Sequence, residues 1–515
     1  MPEMTKSKRV EPQPADQPGP ETKNSPRILL SKATEKPKNK LRIHWWRLGF
    51  IAFGIFAIAI ILVGWRVLTV GTQVFHGNNN ASALSQLGRL IVPGDRELKN
   101  DGNKRTNFLF VGHGGEGHDG PYLADTIIFA SLDQNQNSVA MLSIPRDFLV
   151  DLPGYGYRKI NNALAFGLTE ANPSGGDELM LKVVESITGQ KIHYYMRIDF
   201  NGFRKAVDDL GGIEVNVENS FTDYQYPTYN YGYQTIKFEA GEQHFNGEKA
   251  LQFARSRHGT NGENSDFARS IRQQKLLFAF REKALTLGTL TNPGKINALL
   301  KTLGDHVSSN LELWEVLRLA EVAKNLSTHS VITRVLETGP TGLVKAATGL
   351  DGAYVLQPRI GLGNYQEIQE LTKDIFILNQ VAKEAAPIQI QNATSEKGLA
   401  ETAATTLNGF AYEVTSVTNL KTTRYDQSFV VDLSNGHAVQ TVAQLKKRYN
   451  AEVVTELPAD ITLQLNQNLN GNLNQNRNLS LNPPKIILVL GRASVTTVNN
   501  QAKPHLQKAS PTSSI

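Results

Sequence analysis

Three short apolar runs, at 108–111, 127–130 and 139–144, follow one another with Gly, Pro and Asp between them. Runs this short and this continuously apolar read as strands of a sheet covered on both faces. No other stretch narrows the fold as much, because such a sheet obliges the rest of the chain to supply two covering layers. The polar groups fall where the runs end. A glycine-rich loop, His113-Gly114-Gly115-Glu116-Gly117-His118-Asp119-Gly120, follows the first; Asp125-Thr126 heads the second; Pro145-Arg146-Asp147 closes the third. Sites on such sheets lie where strands meet loops. Taken singly, a glycine loop is more often a turn than a phosphate cradle, and Arg146-Asp147 reads as a surface ion pair.

Later segments shift that balance. Asp177 is placed to cap a helix through Ile187 that stops at Gly189, and 192–200 alternates like a strand. Residues 203–210 have helical spacing and end at Gly211-Gly212, after which 213–217 returns to strand. The alternation gives an α/β sheet with helices on both faces. Residues 247–254 read as a helix that leads into Arg255-Ser256-Arg257-His258. Arginines two apart point the same way in extended backbone, whereas in a helix they diverge by about 200°. Ser265-Asp266 then starts an amphipathic helix with Phe267, Ile271 and Phe278 inward and Arg269, Arg272 and Gln273 on its other face. A solvated helix face would explain that last set alone. Together with Arg146, the arginines point to an oxyanion site, since guanidinium groups hold phosphate bidentately.

The chain is 515 residues long and has no cysteine, which excludes disulfides, a thiolate nucleophile and Cys-based metal sites. Its net charge of +6 belongs to the first 47 residues, where 11 Lys/Arg stand against 5 Asp/Glu. The rest is balanced, so bulk charge makes no case for nucleic-acid binding. Residues 1–47 are read as a disordered basic tail. Residues 48–65 carry no charge and span roughly 27 Å as a helix, with Trp45, Trp46 and Trp65 at the ends as interfacial anchors. A single transmembrane helix is therefore expected at 48–70, followed by a linker at 71–104. Lys32, Lys36, Lys38, Lys40, Arg42 and Arg47 precede it and only Arg66 follows closely, which puts the N-terminus in the cytoplasm and the bulk of the chain outside the cell membrane. That placement argues against ATP-dependent chemistry and against a DNA-binding regulator.

The segments ADTIIFASLD, SIPRDFLV, KINNALAFG, VDDLGGIEV, GEKALQFARSRH and DFARSIRQQ resemble, in order, the successive motifs of the LytR-CpsA-Psr family. The resemblance runs from about Arg105 to Lys383. It implies a three-layer α/β/α catalytic domain at 105–383, whose pocket holds the polyprenyl pyrophosphate of a lipid-linked glycopolymer. It also implies a phosphotransferase that passes the phosphoglycan to peptidoglycan and releases polyprenyl phosphate, with Mg²⁺ as cofactor and Mn²⁺ as a substitute. By motif, Asp125 takes the metal role and shares the catalytic one with Arg146 and Asp147. Arg146, Arg255 and Arg257 bind phosphates, joined by Lys159, Arg269, Arg272 and Gln273. Two positions depart from the common pattern: His113 stands where many members have Asp, and Leu123 where many have Arg. One metal ligand and one phosphate contact are thus missing or supplied differently. His113 is a candidate ligand, although imidazole is a poor partner for Mg²⁺, and Glu116 or Asp119 can replace it. The alternative is a non-catalytic envelope protein that binds polyprenyl-linked glycans or peptidoglycan. Leu164, Phe166, Val183 and Ile187 are candidates for a lipid tunnel and equally for ordinary core.

After Ala386-Pro387 the pattern restarts, with strands expected at 388–394, 412–417, 428–432 and 485–490 and helices near 399–407 and 439–449. This part, 387–495, resembles the small α/β domain found behind the catalytic domain in LytR-type proteins. It carries no catalytic cluster, so binding or spacing is its expected role. The Asn-rich tract 464–482 reads as a disordered insertion and 496–515 as a flexible tail.

Overall fold

The structure is a computed structural model that describes residues 97–168, 175–228, 232–285, 306–326, 330–349, 352–420, 425–456 and 484–502, with 304, 458, 459 and 462 besides. The expected tail, span and Asn-rich insertion lie outside the described residues, among which no helix is long and apolar enough to cross a membrane.

The three apolar runs are strands. β1 (Arg105–His113), β2 (Ala124–Asp133) and β3 (Ser138–Ser143) form an antiparallel meander in which Leu109 faces Phe129 and Phe129 faces Leu142. A hairpin of β4 (Leu149–Leu152) and β5 (Gly156–Lys159) leads to α1 (Asn162–Gly167) and α2 (Gly175–Thr188). β6 (Tyr194–Asp199) then joins β1 in parallel, and α3 (Phe200–Asp209) follows it directly. Next come β7 (Ile213–Val217), β8 (Phe221–Pro227), β9 (Tyr233–Phe238) and β10 (Gly241–Phe245), in which β8 pairs with β9 inside the β7–β10 pair. α4 (Gly247–Arg255) and α5 (Asp266–Ala284) precede β11 (Val307–Ser309), α6 (Leu313–Lys324) and β12 (Val331–Val335). The main sheet has the order β11-β6-β1-β2-β3-β12, and its strands β1, β3, β6 and β12 all run the same way.

Successive side chains on a strand face opposite ways, so each apolar run feeds two cores. Leu109, Val111, Ile127, Phe129 and Leu142 pack on one face with Val183 and Ile187 of α2. Phe108, Ile128, Ala130 and Met141 pack on the other with Leu277 and Phe278 of α5 and Val316 and Leu319 of α6. Each large side chain so buried contributes about 1.5–3 kcal/mol. The fold is therefore mixed α/β, with helices against both faces of the sheet. A separate aromatic core of Phe221, Phe238, Phe245 and Phe253 holds the β7–β10 hairpins against α4.

Two helix expectations need correction. Asp177 is not a cap but lies inside the first turn of α2, where its carboxylate meets Arg197 at 2.8 Å and Ser308 at 3.0 Å. On α5 the first turns are inverted relative to the apolar-inward reading: Phe267 is 39% exposed, while Arg269 and Arg272 are buried. The guanidinium groups can go inside because acidic and backbone oxygens await them there, as described below.

Beyond β13 (Val344–Thr348) and β14 (Tyr354–Pro358), α7 (Gln366–Lys373) and α8 (Ile375–Glu384) lead into a second sheet. It is built from β15 (Ile388–Asn392), β16 (Val414–Asn419), β17 (Phe429–Asp432), β18 (Glu452–Val454) and β19 (Ile486–Leu490), in the order β16-β15-β19-β17-β18. α9 (Leu399–Gly409), α10 (Val439–Tyr449) and α11 (Ser494–Ala502) complete this part.

Candidate active site

Four strands that run the same way bring their carboxyl ends to one edge of the main sheet, the place where open α/β sheets bind ligands. A cavity of about 770 Å³ begins at that edge and follows the sheet face under α5 and α6. Its floor is Phe108, Phe110, Ile128, Ala130, Leu132, Met141 and Met196; its roof includes Leu276, Leu277, Val316, Leu319 and Val322. The β2 residues that line it, Asp125 through Leu132, cover about 23 Å of extended strand. Most polar groups gather toward the edge: Asp125, Arg146, Asp199, Asp223, Arg255, Arg257, Arg269 and Gln273, with Gln225, Tyr233 and His258; Arg281 lines the cavity farther along α5, where its Nη2 donates to the Ala323 and Leu326 carbonyls. Leu164, Val183 and Ile187 belong to the core on the opposite face, with Phe166 packed against it, and line no part of this cavity.

Each charged residue owes its place to a local feature. Asp125 is the second residue of β2, and Pro145 turns the chain after β3 so that Arg146 Nη1 reaches Asp125 Oδ1 at 2.5 Å. Burial works against the Arg146 charge, but Asp125 and Asp147 outweigh it and raise its pKa. At the end of α4 the chain becomes extended at Ser256, with φ −52° and ψ 135°. Arg255 and Arg257 consequently face the same cavity while Ser256 turns inward to Asp223 at 2.7 Å. Asp223 also accepts from the backbone N–H groups of Arg257 and His258, both at 3.2 Å. Burial pushes its pKa up, yet Ser256 and three backbone donors hold it below the usual carboxylate value. The Arg255 guanidinium lies over the Phe200 ring, 4.6 Å from the centroid. Asp266 bridges Arg269 at 3.1 Å and Arg257 at 3.4 Å. Arg269 is only 6% exposed and has a buried Nε with no partner, and burial brings its pKa down to about 10.

Asp125, Arg146, Arg255, Arg257, Arg269 and Gln273 thus surround one cavity, as expected. Others lie elsewhere. Asp147 and Lys159 pair with each other at 2.7 Å and do not line the cavity. Arg272 is spent inside the protein. Its Nε donates to the Phe253 carbonyl at 2.9 Å, Nη2 to that of Ser256, and Nη1 to the Glu263 carboxylate. Burial lowers its pKa, as expected for a guanidinium shut away from water.

The metal set does not assemble. His113 is buried, its Nδ1 donates to the Pro121 carbonyl at 2.9 Å, and burial lowers its pKa and keeps the ring neutral. Neither it nor Asp119 lines the cavity, and among the described residues no three His, Cys, Asp or Glu side chains gather to hold a metal. The carboxylates that do face the cavity are Asp125, Asp199 and Asp223, the last already accepting from the Ser256 hydroxyl and the N–H groups of Gln225, Arg257 and His258. Mg²⁺ is commonly held by one or two carboxylates completed by phosphate oxygens. Gly115, at φ +81°, lets the glycine loop close on Asp199, where a Cβ would come within 2.9 Å of the Asp199 Cβ.

Sequence reasoning missed Asp199, Asp223 and Tyr233. Asp199 caps α3 by accepting from Gly202 N at 2.7 Å, and its position at a strand end was a usable signal. Asp223 has no signal of its own, since its partners come from a loop more than 30 residues away in sequence.

The LytR_cpsA_psr family model matches residues 76–360, and a model described as LytR cell envelope-related transcriptional attenuator matches residues 385–492. The polyisoprenyl-teichoic acid–peptidoglycan teichoic acid transferase TagU of Oceanobacillus iheyensis is 30% identical over 284 residues, 54% of this chain and 81% of that one. Its namesake from Bacillus cereus is 28% identical over 325 residues, 61% of this chain and 93% of that one. The crystal structure of Bacillus subtilis TagV is 25% identical, with a TM-score of 0.41 over 55% of this chain and 98% of that one. The chain belongs to the LytR_cpsA_psr family, with a LytR-type C-terminal domain behind the family domain.

Proposed function

We propose that this protein is a membrane-anchored phosphotransferase that moves a glycopolymer phosphate from a polyprenyl-pyrophosphate carrier to peptidoglycan. The observation that carries this reading is the cavity itself, apolar along the sheet face and ringed by arginines at one end. A polyprenyl chain matches the first part and a pyrophosphate the second. Relatives named as teichoic acid transferases support the same reaction class. In this reading residues 48–70 cross the cell membrane, 1–47 stay in the cytoplasm, and a three-layer α/β/α domain with its C-terminal companion works outside. The balanced charge of that outer part favours no nucleic-acid partner.

The reaction follows from the site. Arg146, Arg255, Arg257 and Arg269 offset the charge of the pyrophosphate. An acceptor hydroxyl forms a new bond to the phosphorus that carries the glycan; the bond from that phosphorus to the bridging oxygen breaks; polyprenyl phosphate departs with the electron pair. The acceptor's proton passes to a base, for which Asp125 is better placed than Asp147 because it faces the cavity. A divalent ion held by Asp125 and Asp199 would add Lewis-acid stabilisation of the departing phosphate.

The test is transfer by the purified full chain in detergent, from a polyprenyl-pyrophosphate glycan to peptidoglycan fragments, with and without Mg²⁺. A conjugate should form and should vanish when Arg255→Ala and Arg257→Ala are combined. Lipid binding without any conjugate, under every ion tried, would leave the binding-only alternative standing.

A further inference from the structure

We propose that the outer rim built by the β8–β9 hairpin is a saccharide subsite, with Tyr233 as the stacking surface for the sugar joined to the pyrophosphate. This rests on the lipid-carrier reading above and adds to it a recognition element for the glycan. Five of the chain's 15 tyrosines fall within residues 224–233, which marks the hairpin as unlike the rest of the sequence. Tyr233 opens β9 opposite Pro227 and is 72% exposed. An exposed tyrosine is ordinary by itself, and Tyr354, 58% exposed on β14, is one such. What separates Tyr233 is position: it lines the same cavity as Arg255 and Arg257, together with Gln225 and His258, which are also exposed.

That neighbourhood is fixed. Asp223, in β8, accepts from Ser256, Arg257 and His258, which ties β8 to the arginine loop. Arg255 is already packed between the Phe200 ring and the Tyr226 ring, at 4.6 and 5.7 Å. Among the described residues, Tyr233 is therefore the exposed aromatic side chain that lines this rim. The order of groups in the carrier does the rest. With its lipid on the sheet face and its phosphates at the arginines, the next group outward is the first sugar. Sugar rings present C–H faces that stack on a phenol, and hydroxyls that bond to an amide or an imidazole, as Gln225 and His258 offer.

The experiment measures binding of two probes to the full chain in detergent: a polyprenyl pyrophosphate bearing one N-acetylhexosamine, and the same lipid without the sugar. Wild type should prefer the sugar-bearing lipid. Tyr233→Ala should weaken that lipid about fivefold and leave the sugar-free lipid unchanged, while Tyr233→Phe should keep most of the preference. Tyr354→Ala serves as the control and should change neither affinity. Equal affinities of wild type for the two lipids, or an equal loss of both in Tyr233→Ala, would overturn the subsite and spare the lipid-carrier reading. Wild-type protein that binds neither lipid would overturn both.

Discussion

The arginines divide by what their guanidinium groups already touch, and that division is testable residue by residue. Arg272 is saturated by the Phe253 and Ser256 carbonyls and the Glu263 carboxylate, all within the protein. Arg272→Ala would strand those acceptors in a buried setting and should cost about 3–5 kcal/mol of stability by urea denaturation. Arg255 and Arg257 face the cavity instead, so Arg255→Ala with Arg257→Ala should shift stability by less than about 1 kcal/mol. The pair should weaken pyrophosphate-lipid binding by about 1.5–3 kcal/mol for each charge-assisted bond lost. The opposite pattern, with Arg272→Ala stable and the pair unfolded, would mean that the site is misread. In the sequence these arginines looked alike, because spacing gives direction only within one element. The i, i+2 argument placed Arg255 and Arg257 correctly. The i, i+3 grouping of Arg269 with Arg272 could not tell that one faces the cavity and the other a knot of carbonyls. His113 lies off the cavity for a similar reason: its Nδ1 donates to the carbonyl of Pro121, eight residues on.

At the scale of elements, the arginine loop depends on a hairpin that carries no phosphate-binding residue of its own. Asp223 of β8 collects Ser256, Gln225 N, Arg257 N and His258 N, and thereby fixes the exit from α4. Its carboxyl is held below the ordinary value of 3.8 in the folded state. A depressed pKa contributes stability that is present above the unfolded value and is lost as pH falls through the folded one. Urea midpoints should therefore decline as pH drops from above 3.8, and Asp223→Asn should flatten that decline while lowering stability at neutral pH. An unchanged acid limb in the variant would remove Asp223 from the account. Strands β1, β2 and β3 were legible because their apolar runs are short, bounded by turn residues and buried on both faces. The α5 face was not. Its amphipathic pattern put Phe267 inside, but Asp266 and Glu263 compensate buried guanidinium groups and the helix rotates accordingly. Hairpin β8–β9 was also unread, although Thr235, Ile236, Lys237 and Phe238 alternate exposed and buried as a half-covered strand does.

For the whole molecule, the two family matches end and begin at residues 360 and 385, and the segment between them is α7 and α8 rather than a slack linker. Leu343, Val344, Leu371 and Leu378 on one side share a single apolar cluster with Ile388, Ile390, Ala403, Leu407 and Phe410 on the other. Polar ties reinforce it. Arg359 forks onto Glu367 at 2.6 and 2.8 Å and donates to the Thr405 carbonyl at 3.1 Å on α9. Glu384, at the end of α8, accepts from the N–H groups of Gln440 and Thr441 at 2.8 Å each, which satisfies donors at the start of α10. A shared core of this kind makes the C-terminal part a structural extension of the family domain, so the two should unfold together. Calorimetry of a 97–502 fragment should give one transition, and ending the chain after Ala385 should lower its midpoint by at least about 5 °C, because the deletion exposes the apolar faces of α7 and α8. Glu367→Gln should reproduce a smaller part of that loss by weakening the Arg359 fork. Two independent transitions, with the truncated chain melting where the longer fragment's first transition does, would instead make the C-terminal part a separate module that merely rests against the site-bearing domain.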